Sequence, residues 1–222
     1  MTYVKASVRR PAGNPGNGIQ PKDQLVIYDV DDILYFPPRN EAGVVIEEDI
    51  VMKAGRYAIG IYLTPGTAEI SSNSDGETDA EGYTPSVKFN HPGNEQEIRE
   101  FKTNWLSKKC IVVLRYCSGK PADLIGTPCN PSKLSVSYTG SNESNTNELT
   151  FTQISKGDDI AIYRGTDTLE EPVAVVEAGA TDIDYQTDGQ YQLSAGAAKI
   201  AGVTGGSHGS VSYTHLRAHE TR

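Results

Sequence analysis

The chain has few cysteines, few methionines and no long apolar segment. Its three cysteines, Cys110, Cys117 and Cys129, are too few and odd in number for a disulfide scaffold, and none has zinc-ligand spacing. We therefore expect buried free thiols. Cys110 and Cys117 lie in one predicted strand, which at about 3.3 Å per residue holds them roughly 23 Å apart, too far to pair. No apolar run reaches membrane-spanning length and no signal segment opens the chain, so we expect no membrane contact.

Clusters of basic residues are also missing, although the chain is strongly charged. Lys and Arg number 20 against 29 Asp and Glu, which gives a formal net charge of −9. A protein without a basic cluster does not hold nucleic acid by neutralising its phosphates. An acidic surface can still line a path through which nucleic acid slides without sticking. The composition therefore excludes a tight nucleic-acid binder and leaves a passive channel open.

Catalytic signatures are absent as well. The sequence contains no nucleophile elbow, zinc-protease motif, phosphate-binding loop or dinucleotide fingerprint. The acidic groups at 31–32, 47–49 and 158–159 are more typical of solvated strand ends than of a glycosidase or calcium site. Residues 73–79 only hint at calcium-loop spacing. We predict no catalytic, cofactor-binding or metal-binding residues, and we expect His91 to fix a strand-to-helix turn through a backbone hydrogen bond.

Short strands joined by tight turns dominate what is present. The chain has 22 glycines, 12 prolines and 12 tyrosines, a composition typical of a β-rich protein. Strand-like segments are QLVIYDV and ILYF (interrupted by Asp31 and Asp32), VVIEEDIVM, RYAIGIYLT, SVKF and CIVVLRY, followed by a hairpin of KLSVSYTG and ELTFTQI. Residues 1–20 read as an arm or loop. The acidic, polar residues 69–82 read as a solvent loop.

One amphipathic helix is predicted, over about residues 94–108. Asn94 is a candidate N-cap, with Glu97 placed as in a capping box. An apolar stripe predicts the core between helix and sheet; its residues are Ile98, Phe101, Trp105 and Leu106. A single such helix must lie on a sheet. The predicted fold is mainly β (α+β), a β-sandwich or barrel with one flanking α-helix.

The chain divides into three predicted parts. Residues 1–156 form the β-sandwich domain, and residues 157–210 form a small, truncated β module. The segment VSYTHLRAHET within residues 211–222 resembles the translation of a transposon-based sequencing adapter. Such scars are excluded from fold reasoning, which removes His215 and His219 from any site. The natural reading frame is expected to continue past Ser210.

Residues 1–156 resemble structural proteins of tailed bacteriophages, in particular tail-tube-like proteins of phages that infect Bacteroidetes-type gut bacteria. The resemblance rests on the opening SVRRPAGNPG, the turn HPG, the helix motif EIREFKTNW, the apolar strand CIVVLRY and a final hairpin ending in LTF. The module that follows resembles β domains appended to phage virion proteins. These motifs are less specific than a catalytic signature.

The resemblance implies a virion protein, made in the cytoplasm of a bacterial host, that has no enzymatic activity and no cofactor. Its partners would be further copies of itself in stacked rings, other phage tail proteins, and DNA that passes through without tight binding. Residues 1–20 and 69–82 would make contacts between rings. An acidic lumen would repel phosphate, and the candidates to face it are Asp31, Asp32, Glu47, Glu48 and Asp49.

Two other functions fit the sequence. A head-decoration or neck protein of a phage would also be β-rich and enzymatically silent, but it would not grow into tubes. A carbohydrate-binding β-sandwich of a bacterial surface protein would need exposed aromatic residues on a flat face and a signal peptide. The tyrosine content permits that second function, whereas the start of the sequence does not favour it.

Overall fold

The fold is mainly β, with one helix, as the sequence predicts. The computed structural model describes residues 6–14, 16–117 and 119–169, together with four short strands beyond them. The chain forms two compact units, residues 1–170 and 171–222. The predicted boundary after residue 156 is therefore wrong, because the strand Ala161–Tyr163 pairs within the sheet of the first unit.

The described part of the first unit contains the helix α1, Gln96–Trp105, and twelve strands. The strands are β1 Pro21–Asp29, β2 Ile33–Tyr35, β3 Val45–Ile46, β4 Val51–Met52, β5 Ile59–Tyr62, β6 Glu69–Asp75, β7 Gly82–Pro92, β8 Cys110–Tyr116, β9 Ala122–Ile125, β10 Ser132–Gly140, β11 Asn145–Gln153 and β12 Ala161–Tyr163.

Ten of these strands form two blocks that share one corner. The first block has the order β5-β1-β8-β9-β12-β3 and the second the order β6-β7-β11-β10. They join where Cys110 of β8 pairs with Ser132 of β10. Gly126 lies against this corner with φ +93°, and a Cβ there would come within 3.2 Å of the Cys110 carbonyl oxygen. The corner therefore requires glycine. Strands β2 and β4 pair separately.

Two apolar cores lie on opposite faces of the first block. Leu25 and Ile27 of β1 contribute to the core between the two blocks, which also contains Phe89 and Phe151 of the second block. The alternate residues of β1 contribute to the second core, under the segment that carries β3 and β4. Because side chains alternate along a strand, burial on both faces explains the unbroken apolar runs in β1 and β8.

Helix α1 packs on the core between the blocks, but it is shorter than predicted. Ile98 is buried, and the rings of Phe101 and Trp105 stack with centroids 5.7 Å apart. Leu106, expected in this core, is 53% exposed at the C-cap. One residue beyond Trp105 is about 100° further around the helix, which turns Leu106 away from the stripe.

The predicted N-cap is also wrong. Glu95 occupies the N-cap position and makes no capping hydrogen bond with its side chain. Asn94 instead accepts a hydrogen bond from Lys102 Nζ at 2.9 Å through its side-chain oxygen. The side chain of Asn94 therefore contacts Lys102, eight residues further along the chain, instead of the first backbone amides of the helix. The predicted capping box does not form.

The predicted solvent loop 69–82 is largely a strand. Residues 69–75 form β6 and pair in antiparallel register with β7, from Glu69–Lys88 to Asp75–Gly82. The hydroxyl groups of Ser71 and Ser86 meet at 2.9 Å across this pair. Only residues 76–81 form the turn. Backbone pairing at a sheet edge does not require an apolar pattern, which is why the sequence of β6 resembles a loop.

The second unit contains four short strands among its described residues: β13 Ala174–Val176, β14 Asp182–Asp184, β15 Tyr191–Leu193 and β16 Gly202–Thr204. They form two parallel pairs, β13–β15 and β14–β16. The adapter-like residues 211–222 lie outside the described residues. Across the described residues of the chain, no helix has the length and apolar character needed to cross a membrane.

Candidate assembly surfaces

The second block of the sheet has two free edges. The outer side of β6 has no backbone hydrogen bond to any described residue. On β10, the side away from β11 pairs only at Ser132, which leaves residues 133–140 without a strand partner in the described part of the chain. Free edges are templates for pairing with another chain unless they are short, charged or covered. The two strands are seven and nine residues long, and their charged residues lie near the strand ends: Glu69 and Asp75 on β6 and Lys133 on β10. The middle of each edge is therefore uncharged.

The N-terminal arm, defined here as residues 6–14 and 16–20, is exposed along its whole length. It forms no strand, and the side chain of Val8 is 95% exposed. Two cations, Arg9 and Arg10, follow directly. The arm joins the body at Gln20, whose carbonyl oxygen accepts a hydrogen bond from the Cys117 amide at 3.0 Å. Val8, Arg9 and Arg10 form no hydrogen bond or ion pair with other described residues, which leaves this apolar and basic segment accessible to another molecule.

Two of the five acidic channel candidates hold the segment that follows β12. Glu47 forms an ion pair with Arg164 at 3.0 Å. Asp49 accepts hydrogen bonds from the Thr166 amide at 2.7 Å and from its hydroxyl at 3.0 Å. Both acidic side chains are exposed, so each contact is weak on its own. Together they fasten residues 164–166 beside β3.

Asp31 and Asp32 lie in the short 3-10 turn after β1, the interruption predicted from the sequence. Asp32 forms an ion pair with Arg56 at 3.5 Å. Asp31 is exposed, and its amide donates to Asp29 Oδ1 at 3.2 Å. Their orientation towards a channel stays a prediction that a structure of the assembled protein would test.

Glu48, the fifth candidate, belongs to an exposed surface that combines apolar groups with negative charge. Tyr35 and Val51 are cross-strand neighbours in the β2–β4 pair and are 45% and 43% exposed. The Tyr35 hydroxyl donates to Glu48 Oε2 at 3.2 Å. No described cation forms an ion pair with Glu48 or with the adjacent Asp49. We call Tyr35, Val51, Glu48 and Asp49 the hairpin patch.

A buried polar cluster locks the end of the first unit in place. Asp167, with a side chain 5% exposed, accepts hydrogen bonds from the Tyr28 hydroxyl at 2.5 Å and from Arg115 Nε. Arg115 also donates to the Gly165 carbonyl oxygen at 2.7 Å and lies over the Tyr163 ring. Burial, and then the charge of Asp167, raise the pKa of Tyr28 far above its ordinary value. Asp167 could not be identified from a local sequence pattern, because its partners Tyr28 and Arg115 lie 139 and 52 residues away in the chain.

Asn147 makes two side-chain hydrogen bonds at the strand-to-helix turn. Asn147 of β11 is fully buried and donates from Nδ2 to the Gly93 carbonyl oxygen at 2.5 Å. Its Oδ1 accepts from Lys102 Nζ at 2.6 Å. His91 Nδ1 is buried and has no hydrogen-bond partner, and burial lowers the pKa of His91. The neighbouring strand thus supplies one polar group that holds this turn, and the role expected of His91 stays a prediction.

The cysteines differ in their surroundings. Cys110 is buried at the corner between the blocks, as expected, whereas Cys117 and Cys129 are exposed, contrary to the prediction. Burial raises the pKa of the Cys110 thiol to about 12, which keeps it protonated and unreactive. The described residues contain no group of three or more His, Cys, Asp or Glu side chains placed to hold a metal ion.

Comparison of the chain with protein-family models, with curated proteins and with solved structures found no significant match.

Proposed function

We propose that this chain is a structural subunit of a tailed-bacteriophage virion, and specifically a tail-tube subunit that assembles into stacked rings around a DNA channel. One observation carries the proposal: among the described residues, no strand pairs with the outer side of β6 or with residues 133–140 of β10, which lie on opposite sides of the second block. The sequence resemblance of residues 1–156 to tail-tube-like proteins supplies the identity of the assembly.

The direction of the strands supports closure into a ring. All three pairings in the second block are antiparallel, so β6 and β10 run in opposite directions. When copies stand in the same orientation, β10 of one copy is therefore antiparallel to β6 of the next. The sheet can then continue from copy to copy with every neighbouring pair of strands antiparallel. Such head-to-tail contacts form a closed ring when the rotation between copies closes.

The charge of the chain supports the passage of DNA. A net charge of −9 gives a ring a negative field, and phosphates are not retained by a surface without clustered cations. In this proposal the partners are other copies of the chain and other phage tail proteins. DNA passes through without tight binding, and no cofactor takes part.

Electron microscopy and light scattering of the purified protein test the proposal. We expect rings or tubes with a central channel. The variant Asn73→Lys with Ser74→Lys places two charges on β6, and the same residue type blocks edges in natural sheets. We expect this variant to fold and to lose ring formation. The matched control is Glu148→Lys, which puts one lysine on an exposed position of the interior strand β11 and should leave the rings intact.

A wild-type protein that remains monomeric at high concentration would contradict the proposal. Binding to purified capsids would then favour a head-decoration or neck protein. Binding to a glycan panel would favour a carbohydrate-binding module. Rings that survive both lysines on β6 would show that assembly uses a surface other than this edge.

A further inference from the structure

The arm and the hairpin patch are complementary surfaces that each lack a partner in the described structure. The arm offers Val8, 95% exposed, followed by the two cations Arg9 and Arg10. The hairpin patch offers the exposed apolar pair Tyr35 and Val51, bordered by two carboxylates without a cation. An apolar centre with opposite charges at its border is the arrangement that selects one partner surface over others.

The two surfaces lie at opposite ends of strand β1. The arm joins the body immediately before Pro21, and the turn that leads to the hairpin patch begins immediately after Asp29. Nine residues of strand separate the ends by roughly 30 Å. In copies stacked end to end, the arm of one copy starts beside the hairpin patch of the next. Docking on its own patch would require the arm to run back along the whole sandwich.

We infer that the arm of one copy docks on the hairpin patch of a second copy, with Val8 against Tyr35 and Val51 and the two arginines facing Glu48 and Asp49. The inference builds on the proposed function, since a tube needs a contact that joins copies end to end. It assigns Glu48 and Asp49 to a subunit contact in place of the channel lining expected from the sequence.

Disulfide trapping between two differently sized proteins tests the contact. Both carry Cys117→Ser and Cys129→Ser, which remove the exposed thiols. One protein carries Val8→Cys, and the other, enlarged by a tag, carries Val51→Cys. We expect mild oxidation of the mixture to give a mixed-size disulfide dimer. The matched control replaces Val51→Cys with Leu106→Cys, which is 53% exposed on a different element and should give only the background yield.

Charge exchange provides the second measurement. Arg9→Glu with Arg10→Glu in the arm should lower the mixed-dimer yield about tenfold, because two attractive exposed pairs become repulsive. Glu48→Arg in the partner, which leaves the hydrogen bonds between Asp49 and Thr166 in place, should restore part of the yield. Val8, Arg9 and Arg10 are exposed and form no hydrogen bond or ion pair with the described residues of their own copy, so we expect their variants to leave the fold intact.

The outcomes separate this contact from the proposed function. A Val8–Val51 yield no higher than the Leu106 control, or a charge exchange without rescue, overturns the inference even when tubes form. A specific, rescued cross-link in a protein that forms no rings supports the contact and counts against the tail-tube proposal alone.

Discussion

Replacement of Asp167 by alanine should destabilise the first unit more than any change at an exposed ion pair. Its carboxylate is 5% exposed and accepts from both the Tyr28 hydroxyl and Arg115. Removal leaves a buried hydroxyl without a partner, which costs about 1–3 kcal/mol. It also leaves the Arg115 guanidinium without its counter-charge.

The loss at Arg115 is smaller than for a fully buried cation. Breaking a buried pair costs about 3–5 kcal/mol, but the Arg115 side chain is 27% exposed and keeps its hydrogen bond to the Gly165 carbonyl oxygen. Water therefore recovers part of its charge interaction. We expect Asp167→Ala to lower the free energy of unfolding by about 3 kcal/mol in total, a central value for these contributions. Asp167→Asn keeps an acceptor for Tyr28 and should cost less.

Urea unfolding followed by tryptophan fluorescence measures this effect. Trp105 is the one tryptophan of the chain and lies in helix α1, so the signal reports on the first unit alone. The control is Asp158→Ala, whose side chain is 77% exposed and lies 3.9 Å from Arg39. It should change the free energy of unfolding by less than about 0.5 kcal/mol. Equal effects of the two alanine variants would refute the reasoning, because the cluster around Asp167 would then be solvated.

Three further expectations concern single side chains. A thiol reagent should modify Cys117 and Cys129 in the folded protein and Cys110 only after unfolding; rapid labelling of all three would contradict the buried corner. Asn147→Ala should lower the free energy of unfolding by about 1–2 kcal/mol in a denaturation assay, since it removes the donor to the partly buried Gly93 carbonyl oxygen. Burial raises the pKa of Asp123, so the folded state binds that proton first as the pH falls. The free energy of unfolding of the wild type should then rise relative to that of Asp123→Asn as the pH falls through the raised pKa of Asp123, and the gain should be complete below the pKa that Asp123 has in the unfolded chain. A difference between the two proteins that does not change with pH would contradict this.

Local patterns were sufficient to predict the elements that carry their own signal. The apolar strands β1 and β8 and the hairpin β10–β11, with its polar loop, lie where the sequence predicts them. The helix stripe of Ile98, Phe101 and Trp105 also packs as expected. In each case the period of the apolar residues, or the turn chemistry between two strands, is contained within a few adjacent residues.

Long-range pairing explains what the sequence did not reveal. Strand β6 is polar apart from Ile70, and its pairing with β7 rather than an apolar period makes it a strand. Strand β12 joins the first unit by pairing with β9 and β3. The partners of Glu47 and Asp49 lie 117 residues away in the chain. None of these relations leaves a periodic trace in the sequence around the residues concerned.

The position of the unit boundary follows from the second core rather than from composition. The sequence Lys156–Gly157–Asp158–Asp159 resembles a linker, but the chain beyond it returns to the sheet and buries Ala161 and Tyr163 completely. Tyr163 belongs to the same core as Ile50, whose amide donates a hydrogen bond to the Tyr163 hydroxyl at 3.2 Å. Burial of this one aromatic side chain contributes about 1.5–3 kcal/mol to the stability of the first unit. A first unit that ended at residue 156 would expose this face of β9 and would lose Asp167 with it. The segment up to residue 169 is therefore part of the fold that presents the free edges and the hairpin patch, and any assembly built on those surfaces depends on it.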